Sequence, residues 1–392
     1  MQERFGYRDH TEENRCELWE QSNTEMRSFL EWSWDQVVEP VLFACKLEPL
    51  EILYEHDLPV NRIRADDLSA PRSTNGPTYR DSDQLAILRE LMKKQHNITS
   101  SANSRKSSGP RLRSGKAANS PDFPRIHWIG VGYMGAFPFH AAGYGSRDVR
   151  KNTMSRVISP YASTLEALQF ADGKQKALEP SASELLLVTM PRTPNEADLD
   201  GVVVEAQIIQ ETAKTLATVK LRELPPVQVV LDDLPHFNAV HFACHGYADS
   251  NSPFQSGLLL CGDEPEKSFN GNTRNSRLTV ESIGSIDTED SQLAFLFACC
   301  TAENASSLLM DEGIHLGSGF QLAGFPHVIG SLWEVDDDLS VCMTEKFYQI
   351  MLDRGNVPGY GNTAYALHDA TVAARRICDK PLAWAPTVHF GP

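Results

Sequence analysis

Two short apolar runs each end in a residue able to do covalent chemistry. Ala239-Val240-His241-Phe242-Ala243-Cys244 leads into His245-Gly246, and Leu293-Ala294-Phe295-Leu296-Phe297-Ala298 leads into Cys299-Cys300-Thr301. Apolar runs of this length bounded by polar residues predict buried strands. In open α/β sheets the C-terminal strand ends are where reactive groups collect. An imidazole and a thiol delivered side by side there form a thiolate–imidazole pair, the working unit of cysteine-dependent peptide hydrolysis. His245 is thus the candidate base and Cys299 the candidate nucleophile. Gly246 permits a tight turn and close approach by a substrate backbone, and its N–H joins those near Cys299 as a candidate oxyanion site.

Cys299 lies just ahead of Thr301-Ala302, where a helix is expected to begin. A thiol at a helix N-terminus is acidified by the free N–H groups there. Alternation sends neighbouring strand side chains to opposite sides, so only one of Cys299 and Cys300 can face His245. The residues alone leave that choice open, and buried packing explains either thiol equally well. A zinc reading would gather His241, Cys244, His245, Cys299 and Cys300. Structural zinc favours cysteine pairs spaced by about two to four residues, which this cluster lacks, so neither a metal nor another cofactor is expected. After a third apolar run comes the acidic stretch Glu334, Asp336, Asp337, Asp338. Its carboxylates fit two roles: capping the following helix, or lining a pocket for a basic side chain.

The elements that must position these groups alternate. Strands are predicted at Arg125–Gly130, Leu185–Met190, Gly257–Leu260 and Pro326–Trp333 beside the two already named. Helices are predicted at Leu30–Phe43, with a kink or end at Pro40, at Leu165–Phe170, Asp200–Ala217, Ala302–Ala323, Asp336–Leu352 and Thr363–Cys378. Val229–Asp233 reads as a connecting segment. Such alternation predicts an α/β fold with a largely parallel sheet. Of the 392 residues, 41% are hydrophobic and 22% charged, as in soluble globular proteins. A net charge of −16 argues against nucleic-acid and anionic-membrane partners. No run approaches the length of a membrane span, and Met1-Gln2-Glu3-Arg4 opens no signal peptide. The eight cysteines are scattered, several within apolar runs, which predicts buried thiols in a reducing compartment, the cytoplasm. Residues 97–122 collect Ser, Gly, Asn and Pro with Arg105, Lys106, Arg111, Arg113 and Lys116, and predict a disordered linker. Its basic residues also suit a nuclear localisation signal. The expected organisation is a helical N-terminal segment over 1–96, this linker over 97–122, and a catalytic-type domain over 123–392.

With these residues in hand, the chain resembles the CHAT domain family, caspase-like cysteine peptidases related to separase. The resemblance is carried by His241-Phe242-Ala243-Cys244-His245-Gly246, Leu278-Thr279-Val280, Leu293 to Ala302, and Asp311-Glu312-Gly313-Ile314-His315-Leu316. Its most specific stretch runs from Gly319-Phe320-Gln321-Leu322-Ala323-Gly324-Phe325-Pro326 to Gly330-Ser331-Leu332-Trp333-Glu334-Val335-Asp336-Asp337. Phe137-Pro138-Phe139-His140 and Trp384-Ala385-Pro386-Thr387-Val388-His389-Phe390-Gly391 match as well, so about residues 125–391 are covered. His245 precedes Cys299 by 54 residues, and in caspases the His precedes the nucleophile by about 50.

The resemblance implies a caspase-like sandwich, a largely parallel sheet flanked by helices, preceded here by the helical N-terminal segment. It implies His245 as base and Cys299 as nucleophile, with Cys300 in the variable position before Thr301. Separase-like relatives prefer Arg before the cleaved bond, which makes Asp336 and Asp337 candidates for the pocket. Phe297 stands where many relatives have Ser. The implied activity is endopeptidase action on a protein substrate, and a repeat-containing regulatory protein is a further implied partner. The chain looks like fungal CHAT proteins, whose domain is linked to defence or cell-death signalling. Many relatives begin with helical repeats, which this chain lacks. That difference motivates an alternative expectation: a non-catalytic caspase-like interaction module in a signalling assembly.

Overall fold

The computed structural model describes residues 12–47, 123–145, 148, 150–175, 183–194, 196–262, 276–298, 301–302, 315–335, 337–353 and 362–392. The chain divides into two compact units, Met1–Glu20 with Ile52–Asp122 and Gln21–Glu51 with Phe123–Pro392. Of the first, residues 12–20 are described, as the opening turns of helix α1 (Glu12–Ser33). The predicted linker over 97–122 lies outside the described residues. Every described strand belongs to the second unit.

These strands are β1 (Glu184–Thr189), β2 (Thr218–Glu223), β3 (Ala239–Ala243), β4 (Gly246–Tyr247), β5 (Gly257–Leu260), β6 (Ser276–Thr279), β7 (Leu293–Phe297), β8 (His327–Ser331) and β9 (Thr387–Phe390). Six form one sheet in the order β2-β1-β3-β7-β8-β9. All neighbours are parallel except β9, which runs antiparallel to β8. This is the α/β fold with a largely parallel sheet that the sequence predicts. β4, β5 and β6 form a second, antiparallel sheet, of which the residue pattern predicts the strand β5 but neither its partners nor the sheet.

Strands β3, β7 and β8 are buried along their whole length. They read as unbroken apolar runs because helices cover both faces, leaving no solvent side to alternate with. On one face Phe242 of β3 meets Phe320 of the helix Leu316–Ala323, ring centres 5.6 Å apart. On the other, Phe295 of β7 meets Phe347 of the helix Asp337–Asp353 edge-on at 5.1 Å.

Several expectations are corrected. Arg125–Gly130 is extended but forms only isolated bridges, Arg125 to Ile158 and Trp128 to Tyr161. Its partner segment contains Pro160, which has no N–H to continue a ladder. β2 escapes the apolar-run pattern because Val219 and Leu221 alternate with Lys220 and Arg222 on an exposed edge strand, unlike the buried runs. Val227–Asp233 is a helix, with Pro226 at its N-cap. The helix expected over 302–323 is described as Leu316–Ala323, residues 303–314 lying outside the described ones. Pro40 does not end the N-terminal helix. A π turn, Trp34–Val38, precedes it, with the Glu39 N–H reaching Trp34 O. Pro40 then falls in the first turn of Glu39–Ala44, where its missing N–H does least harm. Trp34, Val38 and Leu42 from this stretch are fully buried and join Trp128, Phe139 and Tyr161 in one core. Among the described residues no helix is long and apolar enough to cross a membrane.

Several histidines are buried in the core. Burial pushes His140 and His327 down to about 3 and His315 and His368 down to about 4. His389 is also lowered well below 6.5, by burial and by its neighbour His327, whose Nδ1 lies 3.0 Å from His389 Nε2. In the folded protein these rings are neutral, whereas in the unfolded chain each takes a proton near pH 6.5. The unfolded state therefore binds more protons in acid, and stability falls as pH drops below about 6.5, by roughly 2 kcal/mol per ring at pH 5. Thermal unfolding across pH is expected to give a level Tm above 7 and a steep decline between 6.5 and 5. A Tm unchanged down to pH 5 would show that the rings are hydrated.

Candidate active site

The parallel register of β3 on β7 ends at Ala243 opposite Phe297. Both chains therefore leave the sheet at one level, about 4.8 Å apart. From β3 the chain passes through buried Cys244 to His245, which is partly exposed. From β7 it passes through buried Ala298, and it is described again at Thr301-Ala302, also buried. Cys299 and Cys300 lie outside the described residues.

His245 is held on both sides. Its Nε2 lies 2.8 Å from the carbonyl oxygen of Ala197. A carbonyl only accepts, so Nε2 carries the proton and the neutral ring presents Nδ1 as its basic lone pair. Ala197 belongs to the loop between β1 and the helix Asp200–Ala213. That loop is tied down where the Met190 N–H donates to Ala243 O at 2.9 Å and the Leu199 N–H to Pro191 O at 3.0 Å. The carbonyl of His245 itself accepts from the Leu259 N–H at 2.9 Å, extending the ladder of β4 on β5 by one pair. Gly246 is the next residue, opposite Leu258. Bonded and non-bonded pairs alternate in an antiparallel ladder, so the Gly246 N–H faces away from β5 towards the open edge of β4. No residue pattern pointed to Ala197: a main-chain carbonyl leaves no mark on the sequence.

Phe297 is buried and stacks on Phe295 at 5.5 Å. Of the acidic stretch, Glu334 is exposed, Asp336 lies outside the described residues, and Asp337 is the first residue of the helix Asp337–Asp353. Of the residues of the zinc reading, Cys299 and Cys300 lie outside the described residues, and the described His241 and Cys244 face opposite sides of the sheet, Cys244 pointing into the core with Val240 and Phe242. Among the described residues no group of three His, Cys, Asp or Glu side chains is arranged to hold a metal.

The CHAT domain family matches residues 104–392. The chain belongs to the CHAT domain family. The structure is similar to separase in the Saccharomyces cerevisiae separase–securin complex, with a TM-score of 0.46 and 15% identity over 81% of this chain and 18% of that one. It is also similar to the Arg-specific cysteine proteinase gingipain R, with a TM-score of 0.42 and 12% identity over 61% of this chain and 54% of that one. A complex of the Porphyromonas gingivalis RgpB pro- and mature domains gives a TM-score of 0.44 and 11% identity over 69% of this chain and 64% of that one. The chain therefore spans less than a fifth of the separase chain that it matches. No curated protein matches.

Beneath the strand ends of this CHAT domain lies a buried polar network. His241 Nε2 is 3.1 Å from Glu205 Oε1 and His241 Nδ1 is 3.2 Å from the Tyr348 hydroxyl. The Thr344 hydroxyl donates to the same Glu205 oxygen at 2.6 Å. Every atom is satisfied when Nε2–H and the Thr344 hydroxyl donate to the carboxylate and the Tyr348 hydroxyl donates to Nδ1. The network joins β3 to the helices Asp200–Ala213 and Asp337–Asp353. Each of these helices adjoins a segment of the candidate site, the first beginning three residues after Ala197 and the second beginning within the acidic stretch at Asp337. Truncating one partner leaves the others unpaired with no access to water. Glu205→Ala is expected to lower unfolding stability by about 1–3 kcal/mol for each of the two donors left unpaired, His241 Nε2–H and the Thr344 hydroxyl, measured by denaturant titration. A loss below about 1 kcal/mol would mean that water reaches His241.

Proposed function

We propose that the chain is a cysteine endopeptidase, with Cys299 as nucleophile and His245 as general base. The observation that carries this reading is the hydrogen bond from His245 Nε2–H to Ala197 O, made where β3 and β7 release their chains together. It commits Nδ1 to accepting a proton. In the reaction, the Cys299 thiol gives its proton to Nδ1 and the sulfur adds to the peptide carbonyl carbon. The oxygen takes up negative charge and is received by the N–H of Gly246 and backbone N–H near Cys299. Collapse breaks the C–N bond, the amine leaves with the proton from Nδ1, and a thioester remains. Water then gives a proton to His245, attacks the thioester, and releases the acid and the free thiol.

The preferred cleavage follows Arg in this reading. Asp336 and Asp337 follow the end of β8 by five and six residues, and a carboxylate there would bind a guanidinium bidentately. The substrate is a protein, met in the cytoplasm in defence or cell-death signalling as in the fungal relatives. A repeat-containing protein is the partner that would regulate it.

A fluorogenic peptide library scanned at the residue before the cleaved bond tests this. Cys299→Ala and His245→Ala are expected to lower kcat/KM by about 10³-fold or more, while Cys300→Ala stays within a few-fold of wild type. Asp336→Asn or Asp337→Asn should weaken the preference for Arg. Unchanged turnover in Cys299→Ala would overturn the reading. No turnover in wild type, with Cys299 labelled by an electrophilic probe no faster than the other thiols, would favour the non-catalytic module.

A further inference from the structure

The ladder between β7 and β8 stops at Phe295 opposite Ile329. Beyond it, side-chain hydroxyls take over. The Ser331 hydroxyl donates to Ala298 O at 2.7 Å. The Ser331 N–H donates to Thr301 Oγ1 at 2.9 Å, and Ser331 O accepts from the Ala302 N–H at 2.8 Å. Thr301 Oγ1 in turn donates to Leu296 O at 3.4 Å, and Thr301 O accepts from the Gly317 N–H at 3.0 Å. Ala298, Thr301, Ala302 and Ser331 are each at most 3% exposed. One residue of β8 therefore grips the chain on both sides of the Cys299-Cys300 step. Gly330 is a condition of that grip, since a Cβ there would stand 2.9 Å from Thr301 Oγ1.

A two-residue step fixed at both ends has few backbone solutions. Whatever sets the separation of Ala298 from Thr301 thus sets where a thiol between them can be. We propose that Ser331 and Thr301 are positioning residues for the Cys299 nucleophile, their hydroxyls holding Ala298 and Thr301, the described residues on either side of it, so that the thiol meets His245. The proposal rests on the peptidase reading. It goes beyond that reading because neither hydroxyl takes a chemical step: each acts through main-chain atoms. Displacement of a reacting group by about 1 Å can cost about 10²-fold in rate, so the loss of one such bond should appear in catalysis well before it appears in folding.

The test uses the full chain as wild type, Ser331→Ala, Thr301→Val and Thr301→Ser. Ser331→Ala removes one bond and leaves the backbone contacts. Thr301→Val removes the hydroxyl at nearly constant volume, and Thr301→Ser restores it. Iodoacetamide alkylation of Cys299 is followed by peptide mapping from pH 5 to 10, beside turnover of an arginyl fluorogenic peptide and thermal unfolding. Ser331→Ala and Thr301→Val are expected to slow alkylation at pH 7 at least tenfold. Their pH midpoint should rise towards the free-thiol value of about 8.5, and kcat should fall with KM little changed. Thr301→Ser is expected to stay near wild type on every readout. A purely structural role would move Tm and leave the alkylation midpoint in place, and that result in both loss variants overturns the proposal alone. Should Thr301→Val fail to fold, Ser331→Ala decides. Wild-type Cys299 alkylating no faster than Cys300 would overturn the peptidase reading itself, a result visible before any variant is made.

Discussion

The site depends on the register of β3 against β7. In a parallel sheet covered on both faces, apolar strands specify their register weakly, because a shifted strand still meets apolar neighbours on either side. β3 carries one residue that breaks this degeneracy. His241 lies opposite Phe295 and stacks on it at 4.6 Å, while its two nitrogens reach Glu205 and the Tyr348 hydroxyl. A slip by one residue would turn His241 to the Phe320 face and strand a buried carboxylate on the other. The polar network in the core therefore fixes the level at which β3 ends, and with it the level of His245. Its net effect on stability is a separate matter, since buried polar groups often specify more than they stabilise.

The orientation of His245 comes from the main chain. The Ala197 carbonyl sets the tautomer, and the Leu259 N–H fixes the backbone of the same residue. Neither contact depends on a side chain, so the site tolerates sequence change at both positions while the loop and the ladder keep their paths. The cost of that economy is sensitivity to backbone displacement. The helix Asp200–Ala213, bolted to β3 through Glu205, limits such displacement.

The residues differ in how plainly they announced themselves. β3, β7 and β8 were legible because burial on both faces leaves continuous apolar runs, and the His and Cys at two of their ends stood out against them. β2 and β5's partners in the small antiparallel sheet were not, because an edge strand such as Thr218–Glu223 alternates and β4 spans only Gly246–Tyr247. Thr301 and Ser331 were visible as parts of a motif, but their bonds were not: hydroxyls that replace a ladder become meaningful only once the ladder is known to stop at Phe295. Ala197 left no signal at all. What the sequence carries is the chemistry of the candidate groups; the main-chain atoms around them are a property of topology.

β8 joins these constraints. Its inner side holds Thr301 and Ala302, and its outer side pairs antiparallel with β9, Ser331 opposite Thr387. β9 is held in turn by Tyr161, whose N–H donates to His389 O at 2.7 Å and whose carbonyl accepts from the Gly391 N–H at 3.1 Å. Tyr161 shares its core with Trp34 and Val38 of the N-terminal helix. A mechanical path thus runs from the N-terminal helix through Tyr161 and β9 to Ser331, all of it buried and close-packed, and interiors of that kind transmit strain instead of absorbing it. The N-terminal helix is in this way packed into the same buried core as Tyr161, which holds β9 against the strand that carries Ser331.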